Sequence, residues 1–177
     1  LDQIREGFSE AMRQEIEAMW ANKLGLISYD ATLVKELMQL MVLSQVDYTI
    51  FFRKLSLIPD QLKDLKESFY FPSSEKVDAR WATWLERWRD RITSSGDIRV
   101  RSAEMKRINP KYTWREWQIA PAYKNAEEGD YSLIKELQDV FTNPYGEQSS
   151  EVAAKYNLLK PKKFFNAGGV SHYSCSS

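Results

Sequence analysis

The sequence has one cysteine, one histidine and no excess of either charge among its 177 residues. One cysteine cannot close an internal disulfide, so a disulfide-stapled scaffold is excluded. One histidine, His172, leaves a Ser-His-Asp or Cys-His catalytic set a single base to draw on, and two Cys/His residues are too few for a structural zinc site. Basic and acidic side chains number 25 each, whereas a nucleic-acid or membrane-surface binder needs a clear basic excess. No apolar run approaches a bilayer span and the start does not read as a signal peptide, so the expectation is a soluble, intracellular protein. No phosphate-cradling Gly-rich loop and no H-R-D or D-F-G kinase element is present; Gly168-Gly169 alone does not make one. Seven Gly and six Pro favour helices over a turn-rich β fold.

What the chain has is aromatic mass, with six Trp, nine Tyr and eight Phe, and helical periodicity. Leu1, Ile4, Phe8, Met12, Ile16, Met19 and Trp20 recur at threes and fours and predict one apolar stripe on a helix of about six turns. Gly25 suits the left-handed cap that ends it. Asp30 is placed to cap a second helix with a broad apolar face (Leu33, Val34, Leu37, Met38, Leu40, Met41), and Asp47 a third with Tyr48, Phe51, Phe52 and Leu55 inward. Pro59-Asp60 restarts the chain in a shorter helix through Leu65. Residues 68–75 read as a loop, with Ser73 or Ser74 capping the helix that carries Trp81, Trp84, Leu85, Trp88 and Ile92 on one face. Asp97 starts another helix through Ile108. Thr113 to Glu116, "TWRE", predicts a capping box, and Pro121 should kink the helix that follows. Gly129-Asp130 reads as a C-cap followed by the N-cap of a last strong helix, stopped by Asn143-Pro144, and one or two turns are expected near Glu151 to Tyr156. The expected class is all-α, an irregular bundle of about seven or eight helices over residues 1–144, with a weakly structured, extended tail over 145–177. The chain opens at Leu1-Asp2 already inside a helical pattern, and the expectation is a piece of something longer.

Three features invite functional readings. The Trp row, flanked by Arg80, Arg87, Arg89 and Arg91, could stack bases, but at helical spacing on one face it reads as core. Arg99, Arg101, Lys106, Arg107, Lys111 and Arg115 form a basic run that reads as a solvated face with ion pairs. Glu127, Glu128 and Asp130 read the same way. Cys175, two residues from the carboxyl terminus, stands where no core buries it. It is either an accessible thiol, with His172 near in sequence, or a thiol without a role.

Several stretches carry a resemblance. "KLGL" (Lys23 to Leu26), "VDYTIFFRKL" (Val46 to Leu55), "INPKYTWREW" (Ile108 to Trp117), "AEEGDYS" (Ala126 to Ser132), "NPYGEQ" (Asn143 to Gln148) and the final Cys175-Ser176-Ser177 match, in order and rough spacing, the C-terminal part of the selenoprotein O (SelO) family of protein adenylyltransferases. The chain is similar to that family from end to end. The resemblance implies a parent with a pseudokinase fold that binds ATP in an inverted orientation with a metal ion, usually Mg²⁺, and transfers AMP to Ser, Thr or Tyr hydroxyls of proteins. The family's nucleotide and metal residues belong to the upstream core, so no catalytic, cofactor-binding or metal residue is carried over. What maps is Cys175, at the place where some members have selenocysteine, which makes it a redox candidate. The implied role is a helical part, inactive alone, that braces a kinase-like core. Its partners would be that core and the parent's protein substrates, with no nucleic acid and no membrane. Part of its aromatic surface would be uncovered by itself, showing as weak oligomerisation or as an apolar patch. Members are mitochondrial in eukaryotes and cytoplasmic in bacteria. The alternative from the residues alone is an independent helical interaction module.

Overall fold

The computed structural model describes residues 2–94 and 96–166, with side chains from residue 7 onward. Among these residues the fold is all-α: eight α-helices and two 3-10 turns, with one isolated antiparallel bridge between Val46 and Phe69. No helix among them is long and apolar enough to cross a membrane. The chain forms two compact units, Leu1–Asn109 and Pro110–Ser177. Periodicity weakens at 144/145; compactness is a separate criterion, and it groups residues 145–166 with the second unit.

The first unit contains α1 (Asp2–Leu24), α2 (Ala31–Leu43), α3 (Tyr48–Leu55), a 3-10 turn (Leu62–Ser68), α4 (Glu75–Thr93) and α5 (Ile98–Ile108). Its helix starts are those expected from the acidic caps. Asp30 accepts from the Leu33 amide at 2.9 Å, Asp47 from Ile50 at 3.0 Å and Asp97 from Arg99 at 2.8 Å, each contributing about 1 kcal/mol. Ser74 occupies the cap position of α4 without a side-chain cap bond; the neighbouring Ser73 hydroxyl is engaged by Lys66 and Asp78 instead.

The core is organised by α4. Trp81, Trp84 and Trp88 are closed to water, and each indole N–H finds an acceptor on another helix or its cap. Trp81 donates to Ser44 Oγ at 2.8 Å, Trp84 to the Leu33 carbonyl at 2.9 Å and Trp88 to the Leu24 carbonyl at 2.9 Å. The last of these satisfies a carbonyl that the end of α1 leaves orphaned. Trp84 and Trp88 stack at 6.1 Å, and Phe51 meets Trp81 at 5.4 Å. Large amphipathic rings thus supply apolar area and directional bonds together.

Some expectations are corrected. The helix expected from Pro59 to Leu65 is a 3-10 turn three residues later, Leu62–Ser68. Ile58 sits in the left-handed region at φ 52°. Arg89 of α4 donates to the carbonyls of Ile58 and Pro59 at 2.9 and 2.7 Å and pairs with Asp60. That clamp holds residues 58–60 outside any helix. Met38 and Tyr48 are 37% and 43% exposed rather than inward.

The second unit contains α6 (Glu116–Glu127), α7 (Ser132–Thr142), α8 (Ser150–Tyr156) and a 3-10 turn (Lys162–Phe164). Tyr112, Ala122, Leu137, Val140 and Tyr156 form its small core. The capping box expected at Thr113 to Glu116 is not formed: Arg115 stands at the cap of α6, with no side-chain bond. Residues 112–115 lie outside any helix, and Trp114 stacks on Phe141 at 4.5 Å, while Trp117 stacks on Phe164 at 5.5 Å. Aromatic packing outweighs a cap of about 1 kcal/mol. Pro121 lies inside α6 as expected. At Gly129, φ is +84°, and Asp130 then accepts from the Ser132 amide at 2.9 Å, opening α7.

Candidate functional site

In the first unit, polar chemistry concentrates where α1 ends. Lys23 is only 9% exposed. Its ammonium donates to Asn109 Oδ1 at 2.9 Å and lies 4.5 Å from the Phe52 ring centre and 4.9 Å from that of Tyr48. It makes no ion pair with a carboxylate among the described residues. Burial therefore pulls its pKa down to about 8, because low-dielectric surroundings disfavour the charged amine. Asn109 is fully buried and spends its side chain completely. Beyond accepting from Lys23, its Nδ2 donates to the Lys23 carbonyl at 2.9 Å and to Ser56 Oγ at 3.0 Å. Its own carbonyl accepts from Arg53, which also reaches the Lys106 carbonyl. One amide thus ties together the ends of α1, α3 and α5. Gly25 lets this joint close. Its φ is +66°, and a Cβ there would lie 2.7 Å from Met105 Sδ.

The second unit has a similar joint. The amides of Lys111 and Tyr112 both donate to the Pro144 carbonyl, at 2.8 and 3.1 Å. The Tyr112 hydroxyl donates to the Glu147 carbonyl at 2.9 Å, and Lys111 pairs with the Glu147 carboxylate at 2.8 Å. Gln148, at φ 50°, donates to the carbonyls of Val140 and Asn143, both at 2.8 Å, closing the end of α7. A Cβ on Gly146 would lie 2.3 Å from the Asn143 side chain. The "NPKY" and "NPYGEQ" stretches meet here as lock and key of one turn.

Cys175, the redox candidate, and His172 lie outside the described residues. The Trp row is core, its ring faces taken by one another and by Phe51. Members of the basic run are paired where their partners are seen, Arg99 with Asp97, Arg101 with Glu104 and Lys111 with Glu147; Arg99 is solvated, whereas the Lys111 side chain is only 13% exposed. Asp130, expected as the cap of α7, stands one residue before the cap position, which Tyr131 occupies without a side-chain bond, and its carboxylate accepts from the Ser132 amide. Lys23 and Asn109 did not stand out in the sequence as functional residues; both lie inside the motif stretches, but their pairing across 86 positions has no local signature.

The stripe on α1 departs from ordinary burial. Phe8, Met12, Ile16 and Met19 are 67%, 45%, 46% and 40% exposed. All residues from Gly7 to Ile16 are exposed, so this stretch of the helix is not packed into the unit's core. Contiguous uncovered apolar surface of this kind marks an interaction face.

A model of the family "Protein adenylyltransferase SelO" matches residues 1–142. The chain belongs to the SelO family. Among its relatives, the protein nucleotidyltransferase YdiU of Tolumonas auensis is 34% identical over 180 residues, which cover 97% of this chain and 34% of the relative. YdiU of Aromatoleum aromaticum is 33% identical over 96% of this chain and 34% of its own length. YdiU of Myxococcus xanthus reaches 37% over 67% of this chain and 24% of its own. The chain spans about a third of the length of the first two of these SelO relatives. The joints at Asn109 and at Tyr112–Glu147 fall within the SelO-like motif stretches, which here do structural work: they cap, clamp and turn.

Proposed function

We propose that this chain is the C-terminal helical part of a protein adenylyltransferase and acts by bracing that enzyme's kinase-like core. The observation that carries the reading is the SelO family match over residues 1–142, in a chain that spans about a third of the YdiU relatives of Tolumonas auensis and Aromatoleum aromaticum. The exposed stripe on α1 supports it, since a bracing helix needs an apolar face turned away from its own unit. ATP and Mg²⁺ belong to the upstream core in this reading, and the reaction moves AMP from ATP to a protein hydroxyl. The 177 residues alone hold no part of that chemistry. Cys175 is a redox thiol in this proposal. With no second cysteine in the chain, its disulfide partner lies in the core or in another protein. The parent would be mitochondrial in a eukaryote and cytoplasmic in a bacterium.

The test is labelling with an ATP analogue that carries a tag on its adenine, in Mg²⁺, of the full-length protein beside this chain. Tagged AMP should appear on protein hydroxyls with the full-length protein only. Transfer by the 177 residues alone, or none by the full-length protein, rejects the reading. For Cys175, non-reducing peptide mass spectrometry after peroxide treatment should find it disulfide-linked; recovery solely as free thiol rejects the redox role.

A further inference from the structure

Residues 8, 12, 16, 19 and 23 fall within a band about 80° wide on α1, given the 100° step of a helix. The first four are the exposed apolar side chains. The fifth is Lys23, which ends the band on a buried amine. Across the helix from this band Arg13 bridges Glu10 and Glu17, and the charged residue beside the band, Glu15, is exposed to solvent. Lys23 is different. An ammonium has three N–H donors, and among the described residues one goes to Asn109 Oδ1 and the others face aromatic rings. A buried cation without a counter-charge is costly, and a carboxylate brought beside it relieves that cost through a charge-assisted hydrogen bond. The lowered pKa of the amine fits a site waiting for such a partner.

We propose that the face of α1 from Phe8 to Met19, with the Lys23 ammonium at its end, seats an apolar surface that carries an Asp or Glu carboxylate. That surface would come from the part of the full-length protein corresponding to the two-thirds of its relatives outside the match. The inference rests on the reading of the chain as part of a longer adenylyltransferase, and it adds the contact face and its ionic anchor. Two observations select this occupant. The relatives carry about twice as much further sequence as the chain covers, enough for a folded surface. The face also asks for charge of one sign at one end, which a carboxylate beside an apolar patch meets.

The experiment uses the full-length protein. Carbodiimide treatment joins an amine to a carboxylate held against it. Peptide mass spectrometry on a mixture of isotopically light and heavy protein then shows which carboxylate Lys23 has joined and whether it lies in the same molecule. The expected product is an intramolecular amide between Lys23 and an Asp or Glu outside residues 1–177. In parallel, Met12→Gln with Ile16→Gln keeps helix propensity at two positions that are about half exposed in the described structure. It should lower the Tm of the full-length protein by about 2–4 °C or more. A link from Lys23 to a second copy, or an unchanged Tm in the double variant, overturns the proposal. AMP transfer on the same samples separates the two claims. Intact transfer with an unchanged Tm removes the docking face alone. Absent transfer with the intramolecular link present removes the enzymatic reading and leaves the face.

Discussion

Replacing Asn109 by alanine removes an acceptor from the Lys23 ammonium and donors from the Lys23 carbonyl and Ser56 Oγ, around two residues, Asn109 and Ser56, that are fully buried. Unsatisfied buried groups cost about 1–3 kcal/mol each, so Asn109→Ala should lose roughly 3 kcal/mol in urea unfolding. A loss below about 1 kcal/mol would mean that the joint relaxes or hydrates. Lys23 gives a pH signature. Its folded pKa, about 8, lies below the ordinary lysine value of 10.5, so between these values the unfolded chain binds more protons than the folded one. Stability from this group is therefore lowest below pH 8 and rises toward pH 10, by on the order of 2–3 kcal/mol at most. Tyr48, whose pKa burial raises, acts in the opposite sense only above about pH 10. Unfolding curves at pH 7, 8.5 and 9.5 should show the rise in the native sequence and a flat response in Lys23→Met. Equal slopes would refute the uncompensated amine. Gly25→Ala meets both an unfavourable φ and the Met105 sulfur and should cost about 2 kcal/mol.

At the scale of elements, local signals decided starts and stops, and packing decided faces. Asp30, Asp47 and Asp97 cap where their sequence positions say they should, because an Asx cap needs only the next three residues. "TWRE" carries the same kind of signal and fails, since Trp114 and Trp117 gain more from stacking on Phe141 and Phe164 than Thr113 would from capping. Those partners lie 27 and 47 positions away, beyond the reach of any local pattern. The end of α7 offers a direct check. Gln148→Ala removes two bonds to the Val140 and Asn143 carbonyls and should cost about 1 kcal/mol, with faster amide exchange over the last turn of α7. Unaltered exchange there would show that solvent replaces the cap without penalty.

For the whole molecule, the open question is what the α1 face does without a partner. A 177-residue chain carrying Phe8, Met12, Ile16 and Met19 uncovered should associate as its concentration rises, because burying apolar surface gives about 25 cal/mol per Å². Sedimentation velocity across a hundredfold concentration range should show this, and Met12→Gln with Ile16→Gln should abolish it. A single monomeric species at all concentrations in the unaltered chain would weaken the bracing role.

Residue order alone determined the all-α class, the helix boundaries at acidic caps and glycines, the Trp row as core and the resemblance to SelO proteins. Each depends on spacings of a few positions or on motif identity. The tertiary structure decided the rest. It buried Lys23 against Asn109 from 86 positions away, and it interlocked Tyr112 with Glu147. It also placed Met38, Tyr48 and residues 7–16 of α1 at the surface. A period of three to four tells which side chains share a face; whether anything covers that face depends on neighbours that arrive only when the chain closes on itself.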